Sequence, residues 1–138
     1  MRVLALDYGS ARCGAALSDP TGTLATPVEP LLRPDTRKGL HRVVELVERS
    51  HAELVVIGLP LSLSGEDSRQ TSRSREFAAR LASLIRVPVE LADERFTTKT
   101  ARELGGSAAE DSRAAAVLLE SWLARHATAE RDPDGPRA

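Results

Sequence analysis

Several features that define other protein classes are scarce or missing from this sequence of 138 residues. Cys13 is the only cysteine, so neither an intrachain disulfide nor a cysteine-based zinc site can form. Its place in a strand pattern predicts a small buried residue. No apolar run approaches about 18 residues, so we expect no membrane-spanning helix. The N-terminus lacks the basic region, apolar segment and cleavage site of a secretory signal, which favours a cytoplasmic protein.

Aromatic residues are also scarce: the chain has one Trp, one Tyr and two Phe. Stacking of single-stranded bases on aromatic rings can therefore contribute little to any binding of nucleic acid. The net charge is −1, so overall charge does not indicate a nucleic-acid partner. The cations are 17 arginines and two lysines. Arginine is the better bidentate partner of phosphate, but a GC-rich genome produces the same bias.

The length and an apolar content of 41% suit one globular domain. We place this domain at residues 1–126 and expect the polar residues 127–138 to form a disordered tail. Short apolar runs predict strands at 2–7, 12–18, 22–28, 54–57 and 87–92. Helical spacing predicts helices at about 36–50, after residue 75, at about 98–104, and onward from Ser107 as N-cap.

This order of elements predicts an α/β fold. The sheet is mixed and five-stranded, antiparallel in its first three strands and then parallel, and it is flanked by helices. Right-handed crossovers make the later strands parallel to the first. The C-terminal ends of the first and fifth strands then lie on the same edge of the sheet, where residues from both can meet.

Asp7 ends the first predicted strand and is followed by a glycine-containing turn and a return strand. A carboxylate beside bare backbone suits a divalent cation and a phosphate, because Mg²⁺ is usually held by one or two carboxylates plus substrate phosphates. Glycine also lets the backbone approach a ligand closely. Asp-x-Gly is equally ordinary turn chemistry, so the motif alone leaves a purely structural turn open.

Further acidic residues can converge with Asp7. Asp93 and Glu94 end the last strand, and alternation lets only one of the pair point into a site. Asp111 lies in the first turn of the closing helix and shares a face with three apolar residues, Ala115, Leu118 and Trp122. Clustered carboxylates repel one another unless a cation lies among them, and two-metal phosphodiester hydrolysis needs such a cluster. The alternatives are a solvated turn at Asp93–Glu94 and an Asp111 that only favours a helix N-terminus.

Four motifs in order resemble the YqgF/RuvX family and together span residues 2–124. They are the run LDYGSARCGAALSD from Leu6 to Asp19, the run VIGLP from Val56 to Pro60 with the later Gly65, the run DERFTT from Asp93 to Thr98, and Asp111 followed by Ala114-Ala115. The resemblance implies a ribonuclease H-like fold related to RuvC-type Holliday-junction resolvases. It also implies a hydrolase, a metal-dependent nuclease that acts on pre-16S rRNA during ribosome biogenesis.

The resemblance also implies roles for individual residues. Asp7, Glu94 and Asp111 would be the catalytic, metal-binding carboxylates, with Asp93 as the alternative to Glu94. The bound ion would be Mg²⁺ or Mn²⁺. A water molecule would be the nucleophile.

Arginines supply the predicted contacts to nucleic acid. The resemblance implies that Arg12 and Arg95 contact phosphate or orient the carboxylates. The polar segment 61–75 is predicted to be a mobile loop that contacts substrate or, equally, a plain solvated loop. It carries three arginines, Arg69, Arg73 and Arg75. Phosphate contacts should dominate binding, which predicts weak sequence specificity and strong salt dependence.

The predicted partner is structured precursor RNA, with branched DNA as the alternative, for a protein that is a monomer or a homodimer. Junction resolvases of this fold carry two acids one turn apart on the closing helix, whereas Ala114 stands at the second position here. Their acid after the central strand is also absent, because Gly58 follows that strand. A non-catalytic nucleic-acid-binding regulator remains an alternative from another class. An actin-like phosphotransferase is disfavoured, because that class needs two such lobes.

Overall fold

A computed structural model of the protein describes residues 1–61, 64, 67–94 and 108–131, with the side chains of 112–126 in the last range. Five strands and three helices make up this part of the chain. In chain order they are β1 (Val3–Asp7), β2 (Arg12–Ser18), β3 (Ala25–Leu32), α1 (Arg37–Arg49), β4 (Leu54–Leu59), α2 (Arg69–Ala82), β5 (Val89–Asp93) and α3 (Ala108–Arg131).

The strands form one mixed sheet in the order β3-β2-β1-β4-β5. The first three are antiparallel neighbours, and β4 and β5 run parallel to β1. Crossovers through α1 and α2 produce this direction, since parallel strands cannot be joined by a tight hairpin. The C-terminal ends of β1, β4 and β5 therefore lie on one edge of the sheet, as the order of elements predicts. The third strand lies later than expected, at Ala25–Leu32 rather than 22–28.

Two hydrophobic cores cover the two faces of the sheet. Leu4 and Leu6 of β1 belong to the core that α1 and α2 close. Val3 and Ala5 belong to the core under α3. Side chains alternate along a strand, so Asp7 shares the α3 face with Val3 and Ala5. The buried Cys13 lies on the opposite face, in the first core, which confirms the structural role predicted for it.

The start of α2 corrects one prediction. Segment 61–75 is not a loop throughout, because α2 begins at Arg69 and places Arg69, Arg73 and Arg75 on a helix. Ser68 and Thr71 cap this helix reciprocally, each accepting a hydrogen bond from the other's backbone N–H. The hydrophobic pattern of the sequence does not reveal the start of this helix, because the buried positions of its first turns are the small polar residues Thr71 and Ser74.

The closing helix confirms the predicted inward face, because Ala115, Leu118 and Trp122 are all buried in the core under α3. The helix continues to Arg131, so the domain boundary drawn at residue 126 falls inside it and the start of the predicted tail is helical. The predicted helix at 98–104, the cap Ser107 and residues 132–138 lie outside the described residues. Among the described helices, none combines the length and apolarity needed to cross a membrane.

Asp19 holds the turn between β2 and β3, at the opposite edge of the sheet from the end of β1. Its carboxylate accepts hydrogen bonds from the backbone N–H groups of Thr23 (2.8 Å) and Leu24 (3.0 Å) and from the hydroxyl of Thr21. These bonds, that of Leu24 foremost, hold the pKa of Asp19 well below its usual range. Asp19 is therefore a structural carboxylate of the turn.

Candidate functional site

Asp7 lies between two glycines at the edge where β1, β4 and β5 end. It pairs with Gly14 of β2. On its other side Leu6 pairs with Ile57, which sets Gly58 beside Asp7. Residues in register across neighbouring strands share a face of the sheet. The partly buried Asp7 side chain is thus flanked, on the α3 face, by two positions that carry no side chain of their own.

The Glu94 side chain covers Gly58, one of these two glycines. A Cβ atom built at Gly58 would lie 2.9 Å from both Cγ and Cδ of Glu94 and would overlap the carboxylate oxygen Oε1. The Glu94 side chain therefore lies directly over Gly58. Only glycine leaves room for it, and its carboxylate is one strand away from Asp7.

Strand alternation separates Glu94 from its neighbour Asp93. In β5, Ala92 is buried in the core under α3, whereas Val89 packs against the core on the other face. Asp93 shares the parity of Val89, so it is directed to the α1/α2 face. The sequence leaves the choice between Asp93 and Glu94 open, and the geometry puts Glu94 on the Asp7 side.

The third predicted acid, Asp111, stands in the first turn of α3, and its side chain lies outside the described ones. Its neighbour Ser112 fixes this turn: the Ser112 hydroxyl donates a hydrogen bond of 2.6 Å to the carbonyl oxygen of Val28 in β3. Arg95 and the threonines at 97 and 98 lie outside the described residues. Among the described side chains, no three His, Cys, Asp or Glu residues form a cluster that could hold a metal ion.

Tyr8, which sequence reasoning passed over, anchors the chain directly after Asp7. Its ring stacks on Phe77 of α2 with centroids 4.9 Å apart, and its hydroxyl donates a hydrogen bond to Asp35. The side-chain amide of Gln70 donates to the Tyr8 carbonyl oxygen at 3.4 Å. Burial, and then the Asp35 carboxylate, raise the pKa of Tyr8 above its usual value. The sequence does contain a signal for this anchoring role. Side chains alternate along a strand, so Asp7 faces α3 and Tyr8 faces α2.

Four of the arginines predicted to contact nucleic acid are among the described residues, and they lie on two elements, β2 and α2. Arg12 is exposed at the start of β2, two residues from Gly14 and on the same face. Arg69 and Arg73 are exposed in the first turns of α2. This end of α2 adjoins the site edge, because the Thr71 hydroxyl donates a 2.7 Å hydrogen bond to the carbonyl oxygen just beyond β4, that of Pro60.

Arg75 differs from its neighbours because a carboxylate already engages it. Its Nε and Nη2 atoms donate hydrogen bonds of 2.8 and 3.1 Å to the two oxygens of Asp67. This bidentate pair raises the pKa of Arg75 and lowers that of Asp67. A phosphate would have to compete with Asp67, so the pairing speaks against the predicted binding role of Arg75.

The fold and its acid-bearing edge define a class, that of ribonuclease H-like α/β proteins. The chain superposes on the RuvC structure of Thermus thermophilus with a TM-score of 0.59, covering 93% of this chain and 98% of RuvC, at 18% sequence identity. A family model described as "RuvX: Holliday junction resolvase" matches residues 1–125. The chain belongs to this RuvX family, as the four ordered motifs predict.

Close relatives carry one name. A protein of Koribacter versatilis is 37% identical over 141 residues, which cover 96% of this chain and 92% of the relative. A protein of Maridesulfovibrio salexigens is also 37% identical, covering 91% of this chain and 99% of the relative. Each is called "Putative pre-16S rRNA nuclease".

Proposed function

We propose that this protein is a divalent-metal-dependent nuclease that hydrolyses phosphodiester bonds in precursor 16S rRNA, and that it acts in the cytoplasm. The observation that carries the proposal is the Glu94 side chain lying over Gly58, one strand from Asp7 on the same face. Carboxylates that end neighbouring parts of one sheet edge on the same face are the kind of ligand that a divalent cation uses. The names of the relatives support precursor rRNA as the substrate.

The donor set fits a hard cation. Asp7 and Glu94 offer only carboxylate oxygens, and Asp111 is the proposed third ligand. Oxygen ligands of this kind suit Mg²⁺ or Mn²⁺ rather than softer metals. When bound, such an ion supplies Lewis-acid polarisation of a phosphoryl oxygen and a lowered pKa for an attacking water. Gly14, on the side of Asp7 away from Glu94, carries no side chain and leaves room for a phosphate to come close.

The remaining residues bind and orient the substrate. Arg12, Arg69 and Arg73 are exposed around the site edge and hold the phosphates that flank the scissile bond. Tyr8 keeps the backbone after Asp7 fixed against α2, so the Asp7 carboxylate meets the substrate in one position. Hydrolysis breaks one phosphorus–oxygen bond, with water contributing the new oxygen and a proton passing to the leaving oxygen.

Holliday-junction cleavage is the second candidate, because the family model carries that description. The Glu94 side chain over Gly58 weighs against a four-acid site like that of the resolvases. The space in which an acid at position 58 would stand is already filled.

The test is cleavage of precursor rRNA, junction DNA and simple RNA and DNA duplexes with Mg²⁺ or Mn²⁺. The wild type is compared with Asp7→Asn and Glu94→Gln, and with Glu48→Gln as a control at an exposed position on α1. We expect the two site variants to lose at least about 100-fold of the rate and the control to keep it. Equal cleavage by wild type and Asp7→Asn would indicate a contaminating nuclease and refute the mechanism. Preferred cleavage of the junction would replace RNA as the substrate.

A further inference from the structure

We propose that Arg33 is a phosphate-binding residue, and that it extends the substrate surface to the β2–β3 side of Asp7. The inference deepens the proposed function and rests on it, because it concerns how the same site holds a nucleic-acid backbone. Three features of Arg33 carry it: its backbone conformation, its position beside the turn after Asp7, and its exposed guanidinium.

The backbone of Arg33 is left-handed, with φ of 46°. Residues other than glycine avoid this region because Cβ crowds the backbone there. Asn and Asp are the usual exceptions, and arginine has no side-chain reason to adopt it. The turn itself needs no side chain at this position, so glycine would serve the fold better. Strain alone does not assign a function, since His51 also has a positive φ, of 56°; what distinguishes Arg33 is that its strained backbone lies at the edge that carries Asp7.

Arg33 lies next to the turn that connects β1 to β2. Its backbone N–H donates a 2.9 Å hydrogen bond to the carbonyl oxygen of Ala11, and the preceding Leu32 pairs with Arg12. The Arg33 carbonyl accepts hydrogen bonds from the backbone and the hydroxyl of Thr36, the N-cap of α1. The position of Arg33 is therefore fixed on both sides, at the same sheet edge as Asp7.

The side chain of Arg33 is exposed. Its guanidinium makes no hydrogen bond or ion pair with another described residue. The nearest acid in sequence, Asp35, is engaged by the Tyr8 hydroxyl and lies 3.9 Å from Arg80. Arg33 directly follows Leu32, the partner of Arg12 in the sheet, so two exposed arginines lie at this edge and both attract an anion that approaches it.

A phosphodiester backbone is the ligand that fits. Arg33 follows β3, while Arg69 and Arg73 lie beside the end of β4, three strand spacings away, or about 14 Å. Asp7 lies between the two groups. One phosphate cannot reach both, whereas a nucleic-acid strand laid across the edge presents a phosphate to each and brings the bond between them to the carboxylates. RNA and DNA share this chemistry.

The experiment exploits the left-handed backbone. Arg33→Gly removes the guanidinium and also relieves the strained φ, so binding and stability should move in opposite directions. Affinity is measured by fluorescence anisotropy with labelled RNA and DNA duplexes of one sequence, over a salt series without divalent ions. We expect Arg33→Gly to bind at least about fivefold more weakly, with the salt slope reduced by about one. Its thermal midpoint should be higher than that of the wild type, because the strained φ is relieved.

His51→Gly is the matched control. His51 also has a positive φ, of 56°, and is exposed, but it follows α1 at the opposite edge of the sheet. It should gain stability in the same way and bind both duplexes like the wild type. Arg33→Lys should recover most of the affinity, because the charge returns.

Unchanged binding of both duplexes by Arg33→Gly would overturn the proposal, and so would an equal loss in His51→Gly. Weaker binding of either duplex supports the proposal, and the duplex that is affected shows whether Arg33 contacts RNA or DNA. Cleavage is not part of this measurement. If Asp7→Asn retained activity while Arg33→Gly lost affinity, the proposed catalytic function would fail and the phosphate contact would stand.

Discussion

Replacing Gly58 by alanine should separate the activity of this protein from its stability. The added Cβ would lie 2.9 Å from Cγ and Cδ of Glu94, well inside ordinary van der Waals contact, and would overlap the carboxylate. The backbone cannot yield easily, because Gly58 pairs with Ala92 in the sheet. The Glu94 side chain can yield by rotating about 120° to another rotamer. We therefore expect the carboxylate to leave the space beside Asp7 while the strand stays in place.

The magnitudes follow from that rearrangement. Alanine in place of glycine stabilises a compatible backbone by about 0.4–1 kcal/mol. A strained or changed Glu94 rotamer costs about 0.5–1.5 kcal/mol. The two terms nearly cancel, so the free energy of unfolding should change by less than about 1 kcal/mol. If Glu94 is a metal ligand, as proposed, displacing its carboxylate should lower activity by at least about 10- to 100-fold.

The assay combines chemical denaturation with cleavage rates over a range of Mg²⁺ or Mn²⁺ concentration. A double-mutant cycle with Glu94→Ala identifies the cause. If Gly58→Ala acts by moving Glu94, it should add little further loss in the Glu94→Ala background. The reasoning is refuted if Gly58→Ala cleaves within about twofold of the wild-type rate, or if its full effect persists when Glu94 is already absent.

Three further predictions concern buried and charged groups. Tyr8→Phe should cost about 1 kcal/mol of unfolding free energy. Because burial raises the pKa of Tyr8 in the folded protein, the stabilisation that its hydroxyl provides is complete below about pH 10 and declines at higher pH. In alkaline melts the wild type should therefore lose this stabilisation, whereas the Tyr8→Phe variant, which lacks the hydroxyl, should not. Hydrogen bonds, that of the Leu24 N–H foremost, lower the pKa of Asp19. Its contribution should therefore decline as the pH falls below about 4, and Asp19→Asn should flatten the acid limb of denaturation. Arg73→Ala should weaken binding of labelled RNA about fivefold, whereas Arg75→Ala should change it less than twofold, because Asp67 already holds that guanidinium. Equal losses in the two arginine variants would contradict that assignment.

The hydrophobic pattern of the sequence predicted an element correctly where one face of that element is apolar. The run from Val3 to Asp7 and the spacing of Ala115, Leu118 and Trp122 predicted a strand and a helix face that are both present. The hydrophobic pattern failed at α2, because its first buried positions are Thr71 and Ser74, whose hydroxyls donate hydrogen bonds to the backbone carbonyls of Pro60 and Gln70. It also missed the length of β3, whose prolines weaken the strand signal.

The amino-acid sequence by itself determined the family and the order of the elements, and it predicted which acids can form a site. Each of these depends on short segments and on the order of those segments along the chain, so none requires the distances between residues in space. Only the tertiary structure decided that Glu94 rather than Asp93 lies beside Asp7, that Gly58 is glycine because a side chain from another strand covers it, and that Arg33 stands beside Arg12. The reason is physical: each of these facts depends on how neighbouring strands pair, and the register of that pairing and the face that each residue takes are set when the whole sheet packs against its helices.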